Sequence, residues 1–244
     1  MKNNTSLIDA INYRRSVRIY DESKEIDSEI VKKCIQQATL APNSSNMQLW
    51  EFHHVTSKNI LDKLAFACLN QSAATTAKEM VVVVVRKDLW KHRAKTHIQY
   101  LTQLFGKKPT NEYSGREKFA LNYYKKIMPF AYGEFFGVFG YIKYGISWLI
   151  GLFKPSYRQL RKSDMRIVAH KSAGLAAQTF MLSMASEGYD TCPMEGTDSL
   201  RIKKALNLPY KSEINMVISC GIRKPEGVYG ERFRVPFMSV YKQW

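Results

Sequence analysis

The pattern of apolar and polar positions predicts short helices joined by tight turns in the first segment, then strands interleaved with helices. Leu7, Ile8 and Ile11 form a partial helical stripe that runs into Tyr13-Arg14-Arg15-Ser16. Asp27 reads as an N-cap, with Ile26 and Val31 placed as a hydrophobic staple. Ile30, Val31, Cys34, Ile35 and Ala38 then follow at helical spacing. Pro42 marks the end of that helix, since a residue before proline is pushed out of the α region. Gln48 to Thr56 reads as a strand, and Asn59 to Leu69 as an amphipathic helix. Met80 to Val85 is an apolar run with five valines, too short and too β-branched for anything but a strand buried on both faces. Ile214 to Ile222 is a second strand of this kind. Ser163 to Glu187 reads as one long helix stopped by Gly188, with small residues that let another helix approach closely. Together these elements predict an α+β domain with a central sheet and helices on its faces.

Residues 105–160 break the pattern. They are rich in aromatics, and Phe135 to Phe153 holds a single charge, Lys143, in 19 residues. Length alone admits a transmembrane helix, but glycines at 133, 137, 140, 145 and 151 divide the run into shorter pieces.

Composition narrows the class. The 244 residues are 45% hydrophobic and carry a formal net charge of +16, which excludes disordered and collagen-like chains. Residues 86–171 hold 18 basic and 5 acidic side chains, whereas the flanking parts are almost balanced. The excess therefore points to an anionic partner of the middle segment. Four cysteines, Cys34, Cys68, Cys192 and Cys220, form no CxxC pair and are expected as reduced thiols of a cytoplasmic protein. The N-terminus lacks the long apolar run of a signal peptide. His53 and His54 are adjacent on a strand, His92 and His97 are five apart, and His170 reads as a packing or surface residue, so no metal is expected. Neither GxxxxGK[ST] nor GxGxxG after a strand occurs, which removes the common phosphate loops.

The densest chemical signal is Arg14-Arg15-Ser16-Val17-Arg18, where three guanidinium groups and a hydroxyl can grip a phosphate. Ala41-Pro42-Asn43-Ser44-Ser45-Asn46-Met47-Gln48 offers amides and hydroxyls to a polar ring edge. Pro193-Met194-Glu195-Gly196 is a turn whose glycine lets backbone approach a ligand, and Arg232-Phe233-Arg234 adds a second basic pair. These four motifs, in this order over roughly 1–104 and 161–244, resemble those of the FMN-dependent nitroreductase family.

The resemblance implies a three-layer sandwich with a central mixed sheet flanked by helices, forming one domain of core 1–104 and 161–244 with residues 105–160 inserted. It implies FMN as cofactor, NAD(P)H as electron donor, and a homodimer with shared flavin sites. Arg14, Arg15, Ser16 and Arg18 would lie at the phosphate and pyrimidine end, with Arg232 and Arg234 completing the phosphate grip. Asn43, Ser44 and Asn46 would reach the flavin of the other subunit, and Asn70 would hydrogen-bond the ring. Pro193, Met194, Glu195 and Gly196 would form the turn whose backbone faces flavin N5, the hydride-transferring atom. Leu49 departs from the family, many members having a second proline before the Trp. The implied activity is hydride transfer from NAD(P)H to an electron-poor acceptor such as a nitroaromatic or quinone. Specialised chemistry on the same fold, reductive dehalogenation or flavin fragmentation, is the alternative.

Two readings of 105–160 stand: a helical lid or dimer extension over the flavin, and a membrane-surface patch of aromatics flanked by Lys125, Lys126, Lys154 and Arg158. A basic nucleic-acid binder is the remaining class, but the sequence holds no recognisable DNA- or RNA-binding motif and no nucleic-acid partner is expected.

Overall fold

The valine run organises the molecule. In the computed structural model, which describes residues 6–134 and 138–244, it forms the central strand β2 (Glu79–Val85), with β1 (Trp50–Val55) on one side. On its other side lies β4 (Glu213–Gly221), followed by β3 (Asp190–Met194) at the far edge. All pairings among the four strands are antiparallel, with Trp50 opposite Val85, Val81 opposite Ile218 and Met194 opposite Val217. The expected mixed sheet is thus antiparallel through its named strands, and among the described residues the parallel pairing is an isolated bridge from Ser16 to Thr191. The register of β2 against β4 shifts between Val83 and Val84, so one extra residue of β4 is accommodated there.

Successive side chains of β2 alternate between two cores. Val81, Val83 and Val85 pack with Val31, Cys34 and Ala38 of α2 (Ser28–Ala38) and with Ala173, Ala176, Phe180 and Met184 of the long helix. Met80, Val82 and Val84 face Leu61 and Leu64 of α3 (Lys58–Ala67), Ala73 and Ala74 of α4 (Ser72–Thr75), and Ile202. Every residue from Met80 to Val85 is fully buried, and each valine contributes about 1.5–3 kcal/mol relative to exposure. The N-cap of α2 forms as the spacing predicts, with the Asp27 carboxylate accepting the Glu29 amide at 2.9 Å. α1 (Leu7–Tyr13) opens with a Ser6–Asp9 capping box.

Beyond β2 come α5 (Trp90–Phe105), α6 (Gly115–Asn122), a π-helical turn (Tyr123–Ile127), α7 (Met128–Tyr132) and α8 (Val138–Ile150). The described part of residues 105–160 is thus built on short helices joined by turns, and no helix among the described residues is long and apolar enough to cross a membrane. A third core joins this segment to the rest, with Met47 and Leu49 packed on Ala94, Met128, Ala131, Tyr132 and Met165. The long helix α9 (Lys162–Ser186) returns the chain to the sheet, and α10 (Ser199–Ala205) and the short α11 (Phe237–Val240) complete the fold. Gly188, at φ +81°, turns the chain from α9 into β3.

Candidate active site

Residues 14–18 leave α1 as extended backbone laid along the free edge of β3. The Val17 amide donates to the Thr191 carbonyl at 3.2 Å, and the Arg18 amide to that of Gly227 at 2.6 Å. Extended backbone alternates its side chains, so Val17 is fully buried while Ser16 and Arg18 face the other way. Arg14, Arg15, Ser16 and Arg18 share a cavity of about 270 Å³ with Glu231, Arg232, Phe233 and Arg234. The N-terminal and C-terminal basic motifs, more than 210 positions apart, thus meet as expected.

The arginines of this cavity have different partners. Arg232 donates to the carbonyls of Ile11 (3.2 Å), Asn12 (3.0 Å) and Arg14 (2.5 Å), at the C-terminal end of α1 where the helix dipole favours a cation. Arg15 donates to the Gly230 carbonyl at 2.8 Å, and Arg234 only to its neighbour Phe233. Among the described residues, none of Arg14, Arg15, Arg18, Arg232 and Arg234 has a carboxylate within ion-pair distance. Burial first, and then the neighbouring Arg232, Arg234 and Arg15, hold Arg14 below its ordinary guanidinium value. Five arginines against one carboxylate, Glu231, at one cavity make a receptor for a polyanionic group such as a phosphate.

The α1 end is fixed from below. Arg223 pairs with the buried Asp190 carboxylate, its Nε at 2.8 Å, and lays its guanidinium 4.3 Å from the centre of the Tyr13 ring. The Tyr13 hydroxyl donates to the Gly188 carbonyl at 2.9 Å.

Farther along β3, Pro193 and Met194 belong to the strand, so the expected four-residue turn shrinks to Glu195 and Gly196. The ladder to β4 continues through Met194, which keeps both residues extended. Glu195 and Gly196 are exposed, and their amides donate no hydrogen bond among the described residues. A Cβ at Gly196 would meet nothing within 4 Å, so its surroundings are open. Gln71 donates to the Gly196 carbonyl at 3.2 Å, and the Asp198 amide to that of Ala67 at 2.7 Å. These two bonds bring the end of α3 to this turn. Asn70 there has φ +51° and Leu69 φ +60°, a left-handed pair of non-glycine residues. The arginine-bearing segment and the turn that holds Asn70 thus both adjoin β3, the first at Thr191 and the second, through Gln71, at its exit.

Asn43, Ser44 and Asn46 lie elsewhere. Their loop enters β1, at the sheet edge opposite β3, three strand spacings or about 14 Å across. Ser45, Asn46 and Gln48 all have φ near +50°, so this is a tightly coiled loop held by side chains. Asn43 Oδ1 accepts the Gln48 amide at 2.8 Å, and its Nδ2 reaches Asn46 Oδ1 at 3.3 Å. The Ser44 amide donates to Ser172 Oγ of α9 at 3.3 Å.

The segment 90–132 supplies further contacts. His97 Nε2 lies 2.7 Å from the Asn46 carbonyl, and its ring stacks on Tyr124 with centroids 4.4 Å apart. Tyr124 donates its hydroxyl to the Ser45 carbonyl at 3.0 Å, while Tyr123 bonds Ser45 Oγ at 2.7 Å. The sequence singled out none of these three for the site. His97 is only a poorly spaced histidine by pattern, and its partner is 51 positions away.

Behind this loop opens a second cavity of about 430 Å³, a size suited to a small organic molecule. Its walls include Ser44, Ser45, Tyr132, Lys143, Ile146 and Met165. The expected lid segment therefore encloses space beside the loop.

Known proteins share the fold that carries these residues. The family model described as the nitroreductase family matches residues 11–222. The protein DrgA of Synechocystis is 26% identical over 224 residues, 92% of this chain and 87% of its own length. MhqN of Bacillus subtilis, provisionally described as an NAD(P)H nitroreductase, is 25% identical, with 93% of each chain covered. The crystal structure of ydfN from Bacillus subtilis, provisionally described as a nitroreductase, superposes with a TM-score of 0.72 at 24% identity, covering 96% of this chain and 97% of that one. A structure from Exiguobacterium sibiricum, solved in complex with FMN, gives 0.67 at 21% identity with 99% of both chains covered. With motif order, sheet topology and a family match spanning all but the two ends, this chain belongs to the nitroreductase family.

Proposed function

We propose that this chain is a homodimeric FMN-dependent oxidoreductase whose arginine cavity holds the flavin phosphate and whose 430 Å³ cavity receives the electron acceptor. The observation that carries the reading is the cluster of arginines without carboxylate ion pairs, carried in part on a segment laid along β3, whose exit presents two amides with no hydrogen-bond acceptor among the described residues. Their chemistry fits the cofactor: guanidinium groups match a phosphate bidentately, and exposed amides suit the acceptor atoms of a flavin ring edge. When bound, FMN supplies the redox chemistry, taking hydride from NAD(P)H and passing it to an electron-poor acceptor.

The chain's own groups have separable tasks. Arg14, Arg18 and Arg234 bind the phosphate, while Arg232 positions the α1 end that carries Arg14. A cation near the ring favours the added negative charge of reduction, and Arg15 is the candidate. The amides of Glu195 and Gly196 orient the ring without a side-chain acid.

The two sheet edges support a dimer. In one chain the Asn43–Asn46 loop and the β3 exit sit on opposite edges, so a site using both draws them from two copies. Leu7, Ile8 and Ile11 of α1 and Ile167 and Leu175 of α9 are exposed on neighbouring helices, which gives a self-complementary face its apolar area. Phe233, Phe237, Met238 and Val240 of the C-terminal arm are likewise exposed and suit a partner's surface. The apolar, aromatic walls of the larger cavity favour flat acceptors such as quinones or nitroaromatics.

The test is an absorbance spectrum of the purified protein during anaerobic titration with NADH and NADPH, with mass measured by light scattering. A flavin spectrum bleached by either donor in a dimer is expected. A colourless protein that takes up no added FMN would overturn the reading.

A further inference from the structure

Helix α8 carries its amphipathic pattern reversed. Gly140, Lys143 and Ser147 recur three and four positions apart, and this small or polar stripe is the buried one, with Lys143 only 1% exposed. Gly140 fits because a Cβ there would lie 3.1 Å from Arg161 Cα and 3.2 Å from the Lys162 amide nitrogen. Lys143 donates its ammonium group to the carbonyls of Phe130 (2.9 Å), Ala131 (3.2 Å) and Gly133 (2.9 Å). Ser147 donates to the Tyr157 carbonyl at 2.6 Å. These bonds fix the roll of the helix, so the outward face cannot be turned in.

That outward face is apolar. Tyr141 is 69% exposed, Ile142 53%, Leu149 57% and Phe153, just past the helix, 90%. Phe130 extends the patch from α7, with its ring edge-on to Phe139 at 6.4 Å. A contiguous apolar surface of this kind on a folded chain marks an interaction site.

The surrounding charge identifies what covers it. Lys125 and Lys126 on the π-helical turn and Lys154 and Arg158 beyond the end of α8 are exposed. Residues 105–160 hold nine basic side chains against three acidic ones. A second copy of this chain would bring the same cations against these, whereas anionic headgroups neutralise them. Tyr141, Tyr144 and Trp148 have the apolar body and polar tip that settle at a bilayer boundary. At 13 residues α8 is about 20 Å long against a hydrocarbon core of about 30 Å, so it can lie in an interface but not cross it. We infer that α8 docks the protein on anionic membrane surfaces, lying in the interfacial plane with Ile142, Leu149 and Phe153 inserted and the flanking lysines and Arg158 on the headgroups.

The experiment is flotation of the full, flavin-loaded chain with vesicles of phosphatidylglycerol and phosphatidylcholine, or of phosphatidylcholine alone. It is run at low and high salt, with flavin content and molecular mass measured in parallel. The expected result is binding to the anionic vesicles at low salt, weakened by salt, with a blue shift in fluorescence that Trp148→Phe removes. The double variant Ile142→Glu/Leu149→Glu changes only exposed positions and is expected to keep its flavin and mass while binding falls by more than about tenfold. Absence of vesicle binding would overturn the inference, as would equal binding to both vesicle types or full binding by the double variant. A fall in mass of the double variant without any vesicle binding would instead assign the face to contact between copies, and would also overturn it.

Discussion

Arg232 donates Nη2 to the carbonyl oxygen of Arg14 at 2.5 Å, and this bond ties the C-terminal arm to the end of α1. The same guanidinium reaches the carbonyls of Ile11 and Asn12 through separate nitrogens of a rigid planar fork, which a lysine side chain lacks. Arg232→Lys is therefore expected to lower the melting temperature of the apoprotein and to weaken FMN binding about tenfold, by loss of roughly one charge-assisted hydrogen bond. The double variant Arg14→Ala/Arg234→Ala should behave differently. It removes direct phosphate ligands, so FMN is released on gel filtration while the apoprotein melts at an unchanged or higher temperature, since like charges have been removed from the cavity. Titration of both apoproteins with FMN, beside their melting curves, separates positioning from binding. Retention of flavin by the double variant would contradict the phosphate assignment.

The His97 ring holds the loop from outside, through its 2.7 Å contact to the Asn46 carbonyl and its stack on Tyr124. His97→Phe keeps the stack and deletes the hydrogen bond. The loss is worth about 1 kcal/mol, so a roughly fivefold weaker affinity for FMN is expected with little change in melting temperature. His97→Ala removes both and should cost more. Isothermal titration with FMN distinguishes the two, and equal affinities for all three proteins would show that the loop does not touch the cofactor.

How far the site was legible depends on the range of each interaction. The Asp27 cap, the buried valine strand and the stop at Gly188 are local, and the spacing of a few residues suffices to read them. The arginine motifs were legible as chemistry, yet the division of labour between Arg232 and Arg234 was not, because it depends on which carbonyls end α1. Pro193 and Met194 read as turn residues, since proline within a strand is uncommon, but β3 is an edge strand where a missing amide is tolerated. Tyr123, Tyr124 and His97 act on Ser45 and Asn46 across 51 to 79 positions, and no local pattern encodes that. Lys143 stood out as the lone charge of an apolar run, but its buried role needs the carbonyls of α7 beside it.

The buried thiols give the protein an alkaline limit. Burial pushes Cys34 up from 9.0 to about 12 and Cys68 up to about 11, and it raises the Tyr132 hydroxyl from 10.0 to about 12. A folded-state value above the unfolded one means that the unfolded chain loses the proton first. The stabilisation is complete below pH 9 and is lost as pH rises from 9 towards 12, each group adding up to about 1.4 kcal/mol per pH unit to the slope. Cys34→Ala should therefore flatten the fall in stability between pH 9 and 12, at the cost of a small cavity at lower pH. Urea unfolding at pH 7, 9 and 10.5 measures the slope. An identical pH dependence in the variant would show that the thiol is ionised as readily folded as unfolded.

Lys143 is the most consequential single side chain of the 105–160 segment. Its ammonium group donates to three carbonyls at the end of α7, lies 3.7 Å from Glu134 and forms part of the wall of the 430 Å³ cavity. Burial is the largest influence on it and lowers its proton affinity, and Glu134 opposes that loss. Lys143→Met preserves length and apolar bulk while orphaning all of these acceptors. Removing one partner of a buried pair costs about 3–5 kcal/mol, far more than methionine packing restores. Because the sheet and both of its cores lie outside this segment, the expected effect is local opening of residues 128–134 and 138–157 rather than global unfolding. Hydrogen exchange should quicken there and remain slow in β2 and α9. FMN content should stay near that of the unaltered protein, whereas KM for an apolar quinone should rise by about tenfold or more as the cavity wall loosens. Global loss of exchange protection would show instead that this segment is part of the cooperative core, and an unchanged KM would remove the cavity from the path of the acceptor.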